Sequence, residues 1–218
     1  LAEGQKGRTG MKKELEYFTI DGEFGGNQDW FTNVVMHVGG CAAATACDSC
    51  IYFTRKFGMK SLYPFDTWKL NKEEYKKYSQ IMKPYLRPRI NGVNKLYLYT
   101  DGFREYLKDK QKDGGVCVSA EMKEFSGEHT VTEAKQFVRQ QIGKEIPIPY
   151  LMLRHKNKEK FEDFIWHWFL VIGYEEKEDG FWIRVATYGE ETWLNLEELW
   201  NTGEKEKGGM IGYCLENV

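Results

Sequence analysis

The sequence predicts an α+β fold, with a helical N-terminal half packed on a C-terminal antiparallel sheet. Two observations carry that reading. Capping signals and amphipathic helical spacing dominate the first 142 residues, whereas alternating or continuous apolar runs rich in β-branched and aromatic residues gather after residue 147. Two of those runs are joined by a charged stretch, 175–180, that ends in Asp-Gly, a strong hairpin signal.

The elements follow in order. Met11-Lys12-Lys13 reads as a natural start, so residues 1–10 read as an upstream extension and 1–23 as a lead-in to a single domain spanning 24–218. Residues 42–53 place small side chains first and Ile51, Tyr52 and Phe53 last, as expected of a central helix packed closely by its neighbours. Asn71 with Glu74 opens a second helix, with Tyr75, Tyr78 and Met82 inward and Pro84 ending it. Phe103, Tyr106, Leu107 and Lys110 have the spacing of a third. Thr130 with Glu133 opens a fourth, with Ala134, Phe137, Val138 and Ile142 inward and Gly143 as its stop. Strands are expected at 116–120, 148–153, 167–174, 181–188 and 210–216, and Asn195 caps a short helix carrying Leu196, Leu199 and Trp200. The charged stretch 156–160 reads as a solvated loop.

Composition removes several functions. Lys plus Arg number 31 against 33 Asp plus Glu, so no basic excess points to nucleic acid or an anionic membrane surface. The longest apolar run, 166–174, falls well short of the roughly 18 residues of a membrane span. Hydrophobic residues at 41% are enough for a packed core. The five cysteines are an odd number and do not resemble a secreted disulfide framework, so reduced thiols in a cytoplasmic setting are expected. Cys47 and Cys50 form a CxxC, but Cys117 and Cys214 do not make the second pair that a zinc site needs. On a helix they share a face with Ala43 and Ile51, as buried small hydrophobes do. No metal and no cofactor is expected.

Two stretches carry chemistry. Gly39-Gly40-Cys41-Ala42-Ala43-Ala44 puts a thiol where an Ala-rich helix begins, behind two glycines that permit a tight turn. A helix start and a nearby imidazolium both favour thiolate. His167-Trp168-Phe169-Leu170-Val171-Ile172-Gly173-Tyr174 puts an imidazole at the head of an apolar strand. The other histidines sit before the glycine turn (His37) or in polar stretches (His129, His155). Brought together, Cys41 and His167 make an activated nucleophile. Each also fits a plainer role: a buried small residue at a helix start, and a core histidine bonded to the backbone.

The Cys41 segment resembles the nucleophile segment of papain-like cysteine peptidases. His167 to Tyr174 is similar to that fold's histidine strand, and Tyr188-Gly189 to the aromatic-Gly pair ending the next one. The bacteriocin-processing-peptidase-like branch is the nearest in its run of helix, strand, histidine strand, hairpin and short helix. The resemblance covers roughly 24–60 and 130–201, and 61–129 matches nothing in it.

It implies a peptidase or amidase acting on a peptide or amide substrate through a thioester. Cys41 would be the nucleophile, His167 the base, and a glutamine upstream of the cysteine would help hold the oxyanion. Gln28 is that glutamine, further upstream than usual, with Asn33 as the nearer substitute. The group that orients the histidine, usually Asn or Asp, aligns with Ala186 or Thr187. A two-residue turn at Asp179-Gly180 puts Ala186 and Tyr188 on the His167 face, and a one-residue bulge substitutes Thr187. The unusual third member leaves two further readings open: a catalytically inactive module that binds a peptide or protein partner, and an acyltransferase on the same pair.

Overall fold

The computed structural model describes residues 10–89, 92–112 and 120–215. In chain order its elements are β1 (Lys12–Glu14), β2 (Thr19–Ile20), β3 (Glu23–Phe24), α1 (Val34–Gly39), α2 (Cys41–Phe57), α3 (Lys72–Met82), α4 (Leu96–Lys112), β4 (Ala120–Ser126), α5 (Val131–Gly143), β5 (Ile148–Met152), α6 (Lys158–Phe161), β6 (His167–Lys177), β7 (Gly180–Thr187), β8 (Glu190–Asn195), α7 (Leu196–Trp200) and β9 (Gly208–Leu215). Helices and an antiparallel sheet thus make the α+β chain that the sequence predicts. Of the strand expected at 116–120, residues 116–119 and with them Cys117 lie outside the described residues, and β4 begins at Ala120.

Local chemistry explains the helices. α2 ends at Gly58, whose left-handed φ of 69° lets its amide close back on the Phe53 and Thr54 carbonyls. Asn71 caps α3 by accepting from the Glu74 amide, 2.9 Å. Thr130 and Glu133 close their capping box in both directions at the start of α5. Buried small residues on α2 (Ala42, Ala43, Ala46, Cys47, Cys50) let it pack closely.

The main sheet has the order β4-β9-β5-β6-β7-β8, and β1 pairs beside β5 along the same edge of β6. Helices cover both faces. On one, Phe53 of α2 and Tyr99 of α4 pack on Tyr213 and Trp168, with Tyr99 and Trp168 stacked at 4.7 Å. On the other, Phe137 of α5 stacks on Phe125 at 4.4 Å, and Trp200 of α7 meets Phe125 and Tyr150. Burial from both sides is why His167 to Tyr174 reads as a continuous apolar run, all of it buried. Residues 12–20, within the lead-in, join this body: β1 pairs with Gly173 to Glu175, and Leu15, Phe18 and Ile20 are buried.

One irregularity positions the site. Along β6 and β7, Gly173 pairs with Arg184 but Val171 pairs with Val185, so Ile172 is an extra residue in a bulge. Beyond it the register continues as Leu170 with Ala186, which turns Thr187 onto the His167 face. No helix among the described residues is long and apolar enough to cross a membrane.

Candidate active site

Cys41 is the first residue of α2 because the chain passes from α1 into α2 through Gly39-Gly40. A Cβ on Gly40 would overlap the Met36 carbonyl and press on the Phe31 ring at 3.0 Å, so this junction requires glycine. The first bond of the α2 ladder runs from the Ala44 amide to the Gly40 carbonyl, 2.8 Å, which leaves the Cys41 amide ahead of the ladder. Cys41 as a residue is 8% exposed.

His167 opens β6 and is 5% exposed. Its Nε2 lies 2.6 Å from the Thr187 hydroxyl, the residue that the bulge turns toward it. With Thr187 accepting from Nε2–H, Nδ1 is the basic nitrogen of the ring. The Tyr188 ring stacks on the imidazole at 4.4 Å with planes 4° apart. The Tyr188 hydroxyl is 3.3 Å from Nδ1. Because the planes are parallel, that oxygen lies over the imidazole face and not along the in-plane lone pair, so the contact is stacking and not a directed hydrogen bond.

Cys41, His167 and Gln28 line the same two adjoining cavities, together with Trp168 and Tyr188. The inner one is about 20 Å³, room for a single water, and reaches Asp48, Ala186 and Thr187. The outer one is about 410 Å³, within the size of small-ligand sites, and is walled by apolar residues including Val93, Leu153, Ile165 and Trp166, with Arg89 also on its lining.

Gln28 begins a short turn capped by Asn27, whose Oδ1 accepts from the Asp29 amide at 2.8 Å. Its side-chain nitrogen donates to the His37 carbonyl at 3.0 Å, which leaves a second N–H to give, and its Oε1 is buried with no partner. Asn33 is occupied elsewhere: its Oδ1 caps α1 through the Met36 amide, 3.2 Å.

Electrostatics run against the thiolate that the helix start and an imidazolium suggest. Burial pushes the Cys41 thiol up, and the backbone amides of Trp168, Ala42 and Cys41 only partly offset it. Burial also pulls His167 down to about 3, so the resting ring is neutral. The pair rests as thiol and imidazole because both groups have left water.

Asp48 is the residue that the sequence reading passed over. It lies seven residues after Cys41 on the same face of α2 and lines the inner cavity. Its carboxylate accepts from the hydroxyls of Tyr17 and Tyr75, both 2.7 Å, and from the Gly26 amide, 3.0 Å. Burial raises its carboxyl, and those three donors pull it back. Asp48 thereby ties the loop that carries Gln28 to the helix that carries Cys41. A Cβ on Gly26 would overlap the Tyr75 hydroxyl, which fixes glycine there. An acidic residue two helical turns from the cysteine, on an otherwise small and apolar face, was the available signal.

Backbone geometry marks the site as well. Four non-glycine residues among those described have positive φ, and the two aromatic ones, Trp166 (56°) and Tyr188 (55°), both line the outer cavity. For a bulky side chain this region costs roughly 1–2 kcal/mol. Comparison with protein-family models, curated proteins and solved structures returns no match. The functional reading therefore rests on this geometry.

Proposed function

We propose that the chain is a papain-like cysteine hydrolase, a peptidase or amidase, with Cys41 as nucleophile, His167 as general base and Gln28 as an oxyanion donor. The observation that carries the proposal is the convergence of His167, far along the chain, with Cys41 and Gln28 on the same cavities. The neutral imidazole takes the thiol proton at Nδ1 as sulfur attacks the substrate carbonyl. The resulting oxyanion receives the free N–H of Gln28 and the Cys41 amide. Collapse forms the thioester as the imidazolium returns its proton to the leaving amine. Water, deprotonated by the same imidazole, then releases the acid and restores the thiol. The outer cavity mixes apolar walls (Val93, Leu153, Ile165, Trp166) with polar groups (Arg89, Asn94), a lining that suits a peptide segment. All four described cysteines are free, which supports a cytoplasmic setting.

A second reading, a module that binds a peptide without turning it over, draws on one observation. The residue holding His167 is an uncharged threonine, and both members of the pair rest neutral. Acylation by p-nitrophenyl acetate separates the two. In a Cys117→Ser, Cys214→Ser background, which removes the thiol that is exposed among the described residues and the one that lies outside them, the acyl group is expected on Cys41 by peptide mapping. His167→Gln should slow that acylation by about 100-fold or more. Acylation of Cys41 that is indifferent to His167, or none at all, favours the binding module.

A further inference from the structure

We propose that Tyr188 is a positioning residue that stands in for the missing Asn or Asp, orienting the His167 ring and favouring its protonated form during turnover. This rests on the hydrolase reading above. Three independent features converge on it. The first is the parallel stack: at 4.4 Å and 4° the Tyr188 face covers the imidazole, leaving the ring only rotation in its own plane, which the Thr187 bond then stops. An aromatic face is the negative end of the ring quadrupole, so it attracts the imidazole more once that carries a proton. Thr187 cannot do this, because its hydroxyl bears no charge.

The second feature is conformational. Tyr188 and Gly189 both have positive φ, 55° and 75°, and join β7 to β8 as a two-residue hairpin turn. Asn, Asp or Gly suit the first position of such a turn, and a bulky aromatic does not. The turn alone gives no reason for tyrosine there, whereas the stack on His167 does.

The third is anchorage. The Tyr188 carbonyl accepts from Asn27 Nδ2 at 3.0 Å, the Gly189 amide donates to the Gly26 carbonyl at 3.2 Å, and the Tyr188 hydroxyl donates to the Asp163 carbonyl at 3.3 Å. The turn is thus held by the loop that carries Gln28. The titratable and charged groups facing this cluster are Cys41 from α2, Asp48 further along that helix, Asp29 and Asp163 from the loops beside the Tyr188 hydroxyl, and Arg89 across the outer cavity. Burial outweighs them all at His167.

Tyr188→Asn tests the idea, because asparagine suits the left-handed backbone while removing the ring, so the fold is preserved or stabilised. Two readouts are taken. In the acetate assay, Tyr188→Asn should acylate Cys41 at least tenfold more slowly, and Tyr188→Phe should restore the rate to within threefold. By nitrogen NMR at neutral pH, His167 should hold one tautomer in wild type and Tyr188→Phe and become mixed in Tyr188→Asn. The NMR readout needs no turnover, so failure of the hydrolase reading is seen separately, as a wild-type protein that never acylates. A Tyr188→Asn protein with wild-type rate and tautomer overturns the proposal. Tyr188→Phe behaving like Tyr188→Asn also overturns it, since the hydroxyl and not the ring face would then matter.

Discussion

On the α2 side of the cavity, Cys41 shares a helical face with a buried carboxylate that gathers three hydrogen bonds from three separate segments. On the β6–β7 side, His167 has one hydrogen bond to Thr187, and its remaining support is shape: a bulge, a left-handed turn and a stacked ring. The helix that carries Cys41 is held by polar bonding inside the core, the imidazole by backbone geometry. The two sides should therefore fail differently. Damage to the first unfolds the protein, and damage to the second leaves it folded and less active.

The largest expected effect is at Asp48. Asp48→Ala strands the Tyr17 hydroxyl and the Gly26 amide and leaves the Tyr75 hydroxyl only its longer bond to the Ala44 carbonyl, 3.2 Å. At about 1–3 kcal/mol for each donor left without a partner, a loss of roughly 3 kcal/mol is expected in urea unfolding. A loss under about 1 kcal/mol would erase the contrast. The next effect is on pH dependence. Below its ordinary value of 6.5, His167 takes up a proton in the unfolded chain that the folded chain refuses until about pH 3. Stability therefore falls as pH drops through that window, by up to about 1.4 kcal/mol per pH unit. The raised Asp48 carboxyl acts in the opposite sense, so the histidine is isolated by comparison with His167→Gln, whose unfolding curves should flatten between about pH 7 and about pH 4. Equal slopes would mean that the imidazole is less buried than the fold implies.

The smallest effect on stability is at Thr187. Thr187→Val keeps the shape and removes the acceptor of the Nε2 bond, for about 1 kcal/mol of stability. Acylation of Cys41 should nevertheless slow about tenfold, as the imidazole loses its in-plane restraint. A stability loss as large as that of Asp48→Ala would place both sides of the cavity in one class.

Much of the scaffold was legible because its signals are local. The Asn71, Thr130 and Asn195 caps, the hairpin joining β6 to β7 and the apolar run from His167 each declare themselves within a few residues. The hairpin turn falls on Glu178-Asp179, one residue before the expected Asp179-Gly180, because Gly180 pairs with Lys177. The missing elements are those whose reason lies elsewhere in the fold. β1 is three polar residues that form a strand only because the edge of β6 is waiting for them. β8 offers Glu190 and Glu191 before any apolar residue and pairs through β7. Of the site, the Cys41 and His167 segments were readable from their own glycines and apolar neighbours, and Gln28 was picked out as the nearby carboxamide. Whether Ala186 or Thr187 faces the imidazole could not be decided, since one unpaired residue at Ile172 reverses the answer. Asp48 was passed over because its partners, Tyr17, Gly26 and Tyr75, come from outside its own helix.

The bond from Asn27 to the Tyr188 carbonyl spans 161 residues of sequence. During synthesis the cysteine leaves the ribosome long before the histidine and the turn that covers it, and β1 must wait for β6 before it can pair. Until nearly the whole chain has emerged, the thiol has no base, its glutamine loop has no anchor on the turn, and the groove has only one wall. On the hydrolase reading proposed above, the site is assembled only after its last-made elements emerge.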